Sequence, residues 1–248
     1  MDHKIIGLIG FPLDHSRSPE IYRQMFREQG LKQFSYKLFP LKRVEDLKWL
    51  LMAEPNLTGL NVTIPYKKTV IPYLNATDTL ASEIGAVNAI RIDRTKEGSR
   101  LTGYNTDAEG FLLSSDFSGH HAALILGTGG AAKAVAYALK KLGIAYKHVS
   151  RSKAGGHMLA YNELDQQIME HHTLIINATP AGMYPNLDDA PPIPYQMLTP
   201  RHFLYDLIYN PEKTRFLKQG KQQGTKTQSG LQMLIKQAEL SLKLLLKS

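Results

Sequence analysis

Ala122-Ala123-Leu124-Ile125-Leu126-Gly127-Thr128-Gly129-Gly130-Ala131-Ala132 is the stretch that decides the fold. Its first five residues are uniformly apolar, too short for a helix and closed by glycine, which reads as a strand. Gly127-x-Gly129-x-x-Ala132 follows that strand, and helical spacing runs from Ala131 to Leu142, so the glycines sit at a strand-to-helix turn. A lone glycine motif matches by chance. In this setting it fits the turn of a dinucleotide-binding unit. Gly127 permits the bend, Gly129 lets the backbone approach a pyrophosphate, and the amides at the helix start, with Thr128, Gly130 and Ala131 around them, favour its negative charge.

Downstream, a second strand is predicted at Tyr146 to Ser150, and it ends Val149-Ser150-Arg151-Ser152-Lys153. An NAD-selective site places an acidic residue about 20 residues after the first glycine to bind the ribose 2′-hydroxyl. None stands here. Arg151 can stack on adenine and pair with a 2′-phosphate, with Ser150, Ser152 and Lys153 as further donors, so NADP is the expected cofactor. A solvated basic turn is the plainer alternative. The pattern continues as helix Glu163 to Glu170, strand Leu174 to Asn177, a proline-rich loop from Pro180 to Pro194 and strand Phe203 to Leu207. Leu231 to Lys247 closes the chain with Leu231, Leu234, Ile235, Ala238, Leu242 and Leu245 on one helical face. Lysines around that face would suit a membrane surface, but a core helix shows the same pattern and is preferred.

Upstream, Ile5 to Ile9 reads as a buried strand and Ser18-Pro19 as an N-cap with proline behind it, opening a helix that Gly30 stops. An apolar run at Phe34 to Phe39, a helix at Val44 to Met52, a strand at Leu60 to Ile64, a helix at Lys67 to Leu74 and a strand at Ala86 to Ile92 follow, with a turn at Lys96 to Ser99. Such alternation predicts parallel sheets. The polar stretch Asp116 to His121 precedes the second α/β series. A domain junction is expected just before Ala122.

Composition excludes several classes. The chain has 248 residues with 43% hydrophobic and 21% charged, an ordinary globular balance rather than a disordered or fibrous one. Cysteine is absent, which removes disulfides, thiolate metal sites and cysteine nucleophiles. The nine histidines show no metal-ligand spacing, so no metal is expected. A net charge of +8 raises nucleic-acid binding, but no basic patch interleaved with aromatics and no known module supports it. Ile5 to Leu13 is broken by two glycines and a proline and makes a poor signal peptide, and no run approaches a membrane span. A cytoplasmic protein, monomeric or homodimeric, is the expectation.

Five polar motifs lie near predicted strand ends, where open α/β sheets bind ligands: His15-Ser16-Arg17-Ser18-Pro19, Asn61-Val62-Thr63-Ile64-Pro65-Tyr66-Lys67, Gly85-Ala86-Val87-Asn88, Gly103-Tyr104-Asn105-Thr106-Asp107 and Tyr205-Asp206-Leu207-Ile208-Tyr209. With Asn177-Ala178-Thr179-Pro180-Ala181-Gly182-Met183 and Gly230-Leu231-Gln232-Met233-Leu234, they make the chain resemble the shikimate dehydrogenases from Ile6 to the C-terminal helix.

The resemblance implies reversible NADP-linked reduction of 3-dehydroshikimate to shikimate, in aromatic amino-acid biosynthesis. It implies two α/β domains, a substrate domain of residues 1–110 with 231–248 and a Rossmann-like NADP domain of residues 111–230, an active site in the cleft between them, and a C-terminal helix returning to the substrate domain. Lys67 matches the family's catalytic lysine and Asp107 its partner, and a hydride leaving an alcohol carbon does require a positioned acid/base. Ser16 and Ser18 match the carboxylate-binding pair. Thr63, Asn88, Asp107 and Tyr209 match positions that hydrogen-bond the substrate, and Gln237 is the contact from the C-terminal helix. Thr179, Leu207 and Gly230 fall on the cofactor side. Two departures stand out: Ser150-Arg151-Ser152 replaces the usual Asn-Arg-Thr while keeping the arginine, and Lys153 to Tyr161 is short for the helix usual there. A broader quinate/shikimate dehydrogenase is the nearest rival, disfavoured by the Ser16/Ser18 pair and the missing acid after Val149. A non-catalytic NADP or shikimate sensor is the other, and the presence of both Lys67 and Asp107 speaks against it.

Overall fold

The computed structural model describes residues 3–96, 98–151 and 158–246. It divides into two compact α/β units, one formed by Met1–Gly110 with Ile235–Ser248 and the other by Phe111–Leu234.

The first unit runs β1 (Lys4–Gly10), α1 (Ser18–Glu28), β2 (Phe34–Pro40), α2 (Leu47–Ala53), β3 (Leu57–Val62), α3 (Tyr66–Thr69), β4 (Ala76–Thr77), α4 (Thr79–Ile84), β5 (Ala89–Thr95), β6 (Gly98–Tyr104) and the start of α5 (Asp107–Leu112). Its sheet has the order β2-β1-β3-β5-β6-β4. The sheet is not the all-parallel one that alternation predicted: β5 runs antiparallel to both β3 and β6. The pairing of Thr95 with Gly98 explains the difference between β5 and β6, because so short a connection closes a hairpin, whereas a parallel crossover needs a dozen or more residues. Ile5 and Ile9 pack into one layer with Leu47, Leu60 and Val87. Ile6, one residue out of phase, packs on the other face with Tyr22 and Phe26.

Two helix readings also shift. Ser18 is the first residue of α1 rather than its cap; Arg17 holds the cap position without a side-chain bond, and the Ser18 N–H donates to Ser16 Oγ at 3.3 Å. The helix expected from Lys67 to Leu74 breaks into α3 and a 3₁₀ turn at Ile71–Tyr73. Pro72 accounts for the break, since it lacks an N–H and disfavours α-helical backbone in the residue before it.

The second unit holds β7 (Ala122–Leu126), α6 (Gly130–Lys141), β8 (Ala145–Ser150), β9 (Met158–Ala160), α7 (Gln166–His171), β10 (Leu174–Asn177), β11 (Phe203–Asp206), α8 (Arg215–Gln222) and β12 (Lys226–Gln228), ordered β12-β11-β10-β7-β8-β9 in one parallel sheet. Ala123, Ile125, Leu174 and Ile176 face one layer, with Phe111, Phe117 and Tyr205, and Leu124, Leu126 and Ile175 face the other. Burial on both faces is why these strands read as unbroken apolar runs. Strand β12 and helix α8 escaped the sequence reading, the helix because Arg215–Gln222 is mostly polar and contains Gly220.

The final helix, α9 (Leu231–Leu245), buries Ala238, Leu242 and Leu245 against Ile6, Tyr22 and Phe26. Its apolar face therefore serves the core rather than a membrane surface. Among the described residues no helix is long and apolar enough to cross a membrane.

Candidate active site

The hairpin direction of β5 gathers the polar motifs of the first unit. Ser16 and Ser18 follow β1, Thr63 and Lys67 follow β3, and Asp107 follows β6; all three strands are mutually parallel, while Asn88 precedes the antiparallel β5. Every one of these residues consequently lies toward the same end of the sheet. Backbone bonds hold the segments in register: Val87 N–H donates to the Lys67 carbonyl (2.7 Å), Val62 N–H to that of Asn88 (2.9 Å) and Thr63 N–H to that of Ile9 (2.9 Å).

Lys67 Nζ donates to Asp107 Oδ2 at 2.6 Å, with side chains 18% and 5% exposed. A charge-assisted bond of this length fixes a long, flexible side chain at one point. The other carboxylate oxygen, Asp107 Oδ1, accepts from Asn88 Nδ2 at 2.9 Å. Asn88 is the centre of the cluster: its Nδ2 also reaches Thr106 Oγ1 (2.9 Å) and Gln237 Oε1 (3.1 Å), and its Oδ1 accepts the Thr106 N–H at 2.7 Å. Thr106 in turn bonds Ser241 Oγ (2.9 Å) and the Gln237 carbonyl (3.1 Å), so α9 is tied to the strand ends through a buried hydroxyl. Asn105 caps the opening of α5, accepting the Asp107 N–H at 3.1 Å.

Of the expected substrate residues, Lys67, Asn88, Asp107 and Gln237 form one hydrogen-bonded cluster. Ser16 and Thr63 are half-buried and Ser18 is buried, at neighbouring strand ends. Tyr209 belongs to the second unit, in the loop after β11. Thr106 and Ser241 were not singled out in the sequence, because a hydroxyl facing another element gives no local pattern. Asn61 was missed too. Its Oδ1 accepts from the Tyr36 hydroxyl at 2.9 Å. Its placement two residues before Thr63, on the same strand face, was the available signal.

In the second unit the glycine turn has the form expected. Gly127 has φ +107°, a conformation side chains rarely adopt, and a Cβ there would press on the Ala178 carbonyl at 3.1 Å. Its own carbonyl oxygen accepts from His148 Nδ1 at 2.9 Å, which sets that ring's tautomer. Gly129 caps α6 in extended conformation with no side-chain bond, and a Cβ on it would meet open space. An uncapped helix start beside an open glycine backbone fits a pyrophosphate. Gly130 and Ala131 form the first turn of α6. Ser150 ends β8 half-buried and Arg151 beyond it is exposed; Ser152 and Lys153 lie outside the described residues, as does most of the segment from Lys153 to Tyr161. The exposed guanidinium and the lack of an acid at that strand end fit a 2′-phosphate. Thr179, Leu207 and Gly230 sit on loops at the C-terminal end of the same sheet.

Asp206 ends β11 and is wholly buried, and desolvation pushes its carboxyl up to about 7 against the lowering effect of three donors. A carboxyl raised in the folded state contributes stability at low pH that is lost as pH climbs from about 4 to about 7. Wild-type stability should therefore fall across that window by more than that of an Asp206→Asn variant, as urea unfolding at several pH values would read. Parallel pH profiles would contradict the assignment.

Comparison with known proteins extends this picture. Residues 8–90 match the family model described as the shikimate dehydrogenase substrate binding domain. A shikimate dehydrogenase (NADP(+)) of Carboxydothermus hydrogenoformans is 39% identical, over 96% of this chain and 90% of the relative. The shikimate 5-dehydrogenase of Thermus thermophilus, solved in complex with NADP(H) and shikimate, is 31% identical with a TM-score of 0.83, covering 98% of this chain and 93% of that one. A quinate dehydrogenase of Corynebacterium glutamicum, solved with NAD, shares the fold at 28% identity and a TM-score of 0.84, covering 99% and 94%.

Proposed function

This chain belongs to the shikimate dehydrogenase family, an NADP-dependent oxidoreductase that reduces 3-dehydroshikimate to shikimate, and we propose that the Lys67–Asp107 cluster carries the chemistry. The observation behind that assignment is the 2.6 Å ion pair anchored through Asn88 to Gln237.

Bound NADPH supplies the hydride for reduction, and NADP+ accepts it in reverse. As the carbonyl carbon gains a hydride its oxygen gains negative charge, and a donor already positioned there lowers the barrier. Lys67 Nζ is that donor: it gives the proton to the new hydroxyl and recovers one as the cycle closes. Asp107 keeps the amino group oriented in both its protonated and deprotonated states. Ser16 and Ser18 take the carboxylate, and Thr63, Asn88, Asp107 and Gln237 hydrogen-bond the ring hydroxyls and carboxylate. A site built from so many polar groups rejects analogues lacking a hydroxyl, because the groups are then left unpaired.

On the cofactor side, Gly127 to Ala131 hold the pyrophosphate, Ser150, Arg151 and Ser152 the 2′-phosphate, and Thr179, Leu207 and Gly230 the nicotinamide half. We also place the enzyme in the cytoplasm, which cell fractionation would test. Assay of the purified protein with shikimate and each oxidised nicotinamide tests the whole reading, with reduced cofactor formed from NADP+ in preference to NAD+. The quinate dehydrogenase reading gains no observation here, since the end of β8 carries serine and arginine and no acid.

Arg151→Ala should raise KM for NADP+ about tenfold or more and leave KM for NAD+ nearly unchanged, since only the former has a phosphate to pair. Equal losses with both would remove Arg151 from the 2′-phosphate site.

A further inference from the structure

Regular pairing between β10 and β11 stops at Asn177 and Asp206, and beyond it the chain continues into loops. Three donors from three segments converge on the buried Asp206 carboxylate at that point. Asn177 Nδ2 and the Ile208 N–H both donate to Oδ1 at 3.0 Å, and the Thr214 hydroxyl, at the N-cap of α8, donates to Oδ2 at 2.6 Å.

Two of those partners pass the constraint on. Asn177 Oδ1 accepts the Thr179 N–H (3.0 Å) and the Thr179 hydroxyl (2.6 Å), and Thr179 Oγ1 accepts the Ala181 N–H at 3.2 Å. The Leu207 N–H donates to the Asn177 carbonyl at 2.9 Å, and the Gly230 N–H to the Ile208 carbonyl at 3.0 Å. Gly230 packs so closely that a Cβ would fall on the Leu207 carbonyl, so the Gly230 backbone lies directly against the Leu207–Ile208 backbone. Thr179, Leu207 and Gly230 thus stand on three separate loops joined through one side chain.

We infer that Asp206 is a positioning residue for the cofactor: its carboxylate sets Thr179 through Asn177, and Leu207 and Gly230 through Ile208, in the arrangement that binds NADP. The inference rests on the assignment of those three residues to the cofactor. A carboxylate is a costly choice for a dry site, as its raised pKa reflects. Two acceptor oxygens that can serve three donors at once are what this junction requires.

The test is steady-state kinetics with both substrates varied. Asp206→Ala, which removes every acceptor, should raise KM for NADP+ about tenfold or more and change KM for shikimate less than about twofold. Asp206→Asn keeps an oxygen for Asn177 and Ile208 and can donate to Thr214, so it should return KM for NADP+ to within about threefold of wild type. A purely structural role would move both KM values together and show no such recovery. Should Asp206→Ala fail to fold, Asn177→Ala decides: it cuts only the Thr179 arm and should raise KM for NADP+ about fivefold. Thr179→Val and Gly230→Ala, measured alongside, separate the two levels of the argument. If they leave KM for NADP+ unchanged, the cofactor assignment falls and this inference with it. If they raise it while the folded Asp206→Ala or Asn177→Ala protein binds NADP+ normally, the positioning role of Asp206 alone is overturned.

Discussion

Lys67→Ala is expected to lower turnover by about a hundredfold or more while KM for shikimate stays within a few fold of wild type, the usual scale for loss of a general acid/base. Charge develops on the substrate oxygen only as the hydride moves, so a proton donor there acts mainly on the transition state. Asp107→Ala should do comparable damage by a different route. It leaves the Lys67 ammonium without its 2.6 Å partner and frees Asn88 Nδ2 from one of its acceptors. Because the two side chains are in direct contact, the double variant should be far less impaired than the product of the single losses. Near-normal turnover in Lys67→Ala, or losses that simply multiply, would end the pairing and shift attention to Tyr209 or a bound water as proton carrier.

Asn88→Ala should cost about 3 kcal/mol or more of folding stability in addition to activity, a larger effect than removal of a substrate contact would give. The resemblance assigns Asn88 to substrate binding. Its amide is also committed internally, to Asp107, Thr106 and Gln237. Truncation leaves the Thr106 N–H without its 2.7 Å acceptor and removes the two N–H donors that Asp107, Thr106 and Gln237 share. Each buried group left unpaired costs about 1–3 kcal/mol. Urea unfolding of the variant reads this directly. Unchanged stability with a raised KM for shikimate would make Asn88 a substrate ligand and nothing more.

Much of the site was legible in the sequence, and the reasons are local. The Gly127-to-Ala132 turn could be read because its conformation depends on residues adjacent in the chain: a strand that must end, a glycine that can take φ +107° and a helix that must start. Lys67, Asp107, Ser16 and Gln237 could be named only through resemblance, since nothing in the spacing of one lysine distinguishes it from a solvated surface charge. Asn61, Thr106, Ser241 and Asp206 went unassigned for the same reason, because what each side chain does depends on partners distant in the chain. Thr106 and Ser241 are 135 positions apart and their hydroxyls are 2.9 Å apart.

By itself the sequence determined the α/β class, the glycine turn, the lack of an acid after the second strand of the cofactor domain and the apolar face of the last helix. Each follows from short-range periodicity or the conformational limits of neighbouring residues. Tertiary structure alone decided that β5 pairs with the distant β3 as well as with its hairpin partner β6, which brings Asn88 to the end of the sheet where Lys67 and Asp107 stand. It also decided which groups the returning α9 meets, Gln237 on Asn88 and Ser241 on Thr106. Strand direction and helix docking are settled by which apolar faces can be buried together and which buried donors find acceptors, and those choices are made between segments far apart in the chain.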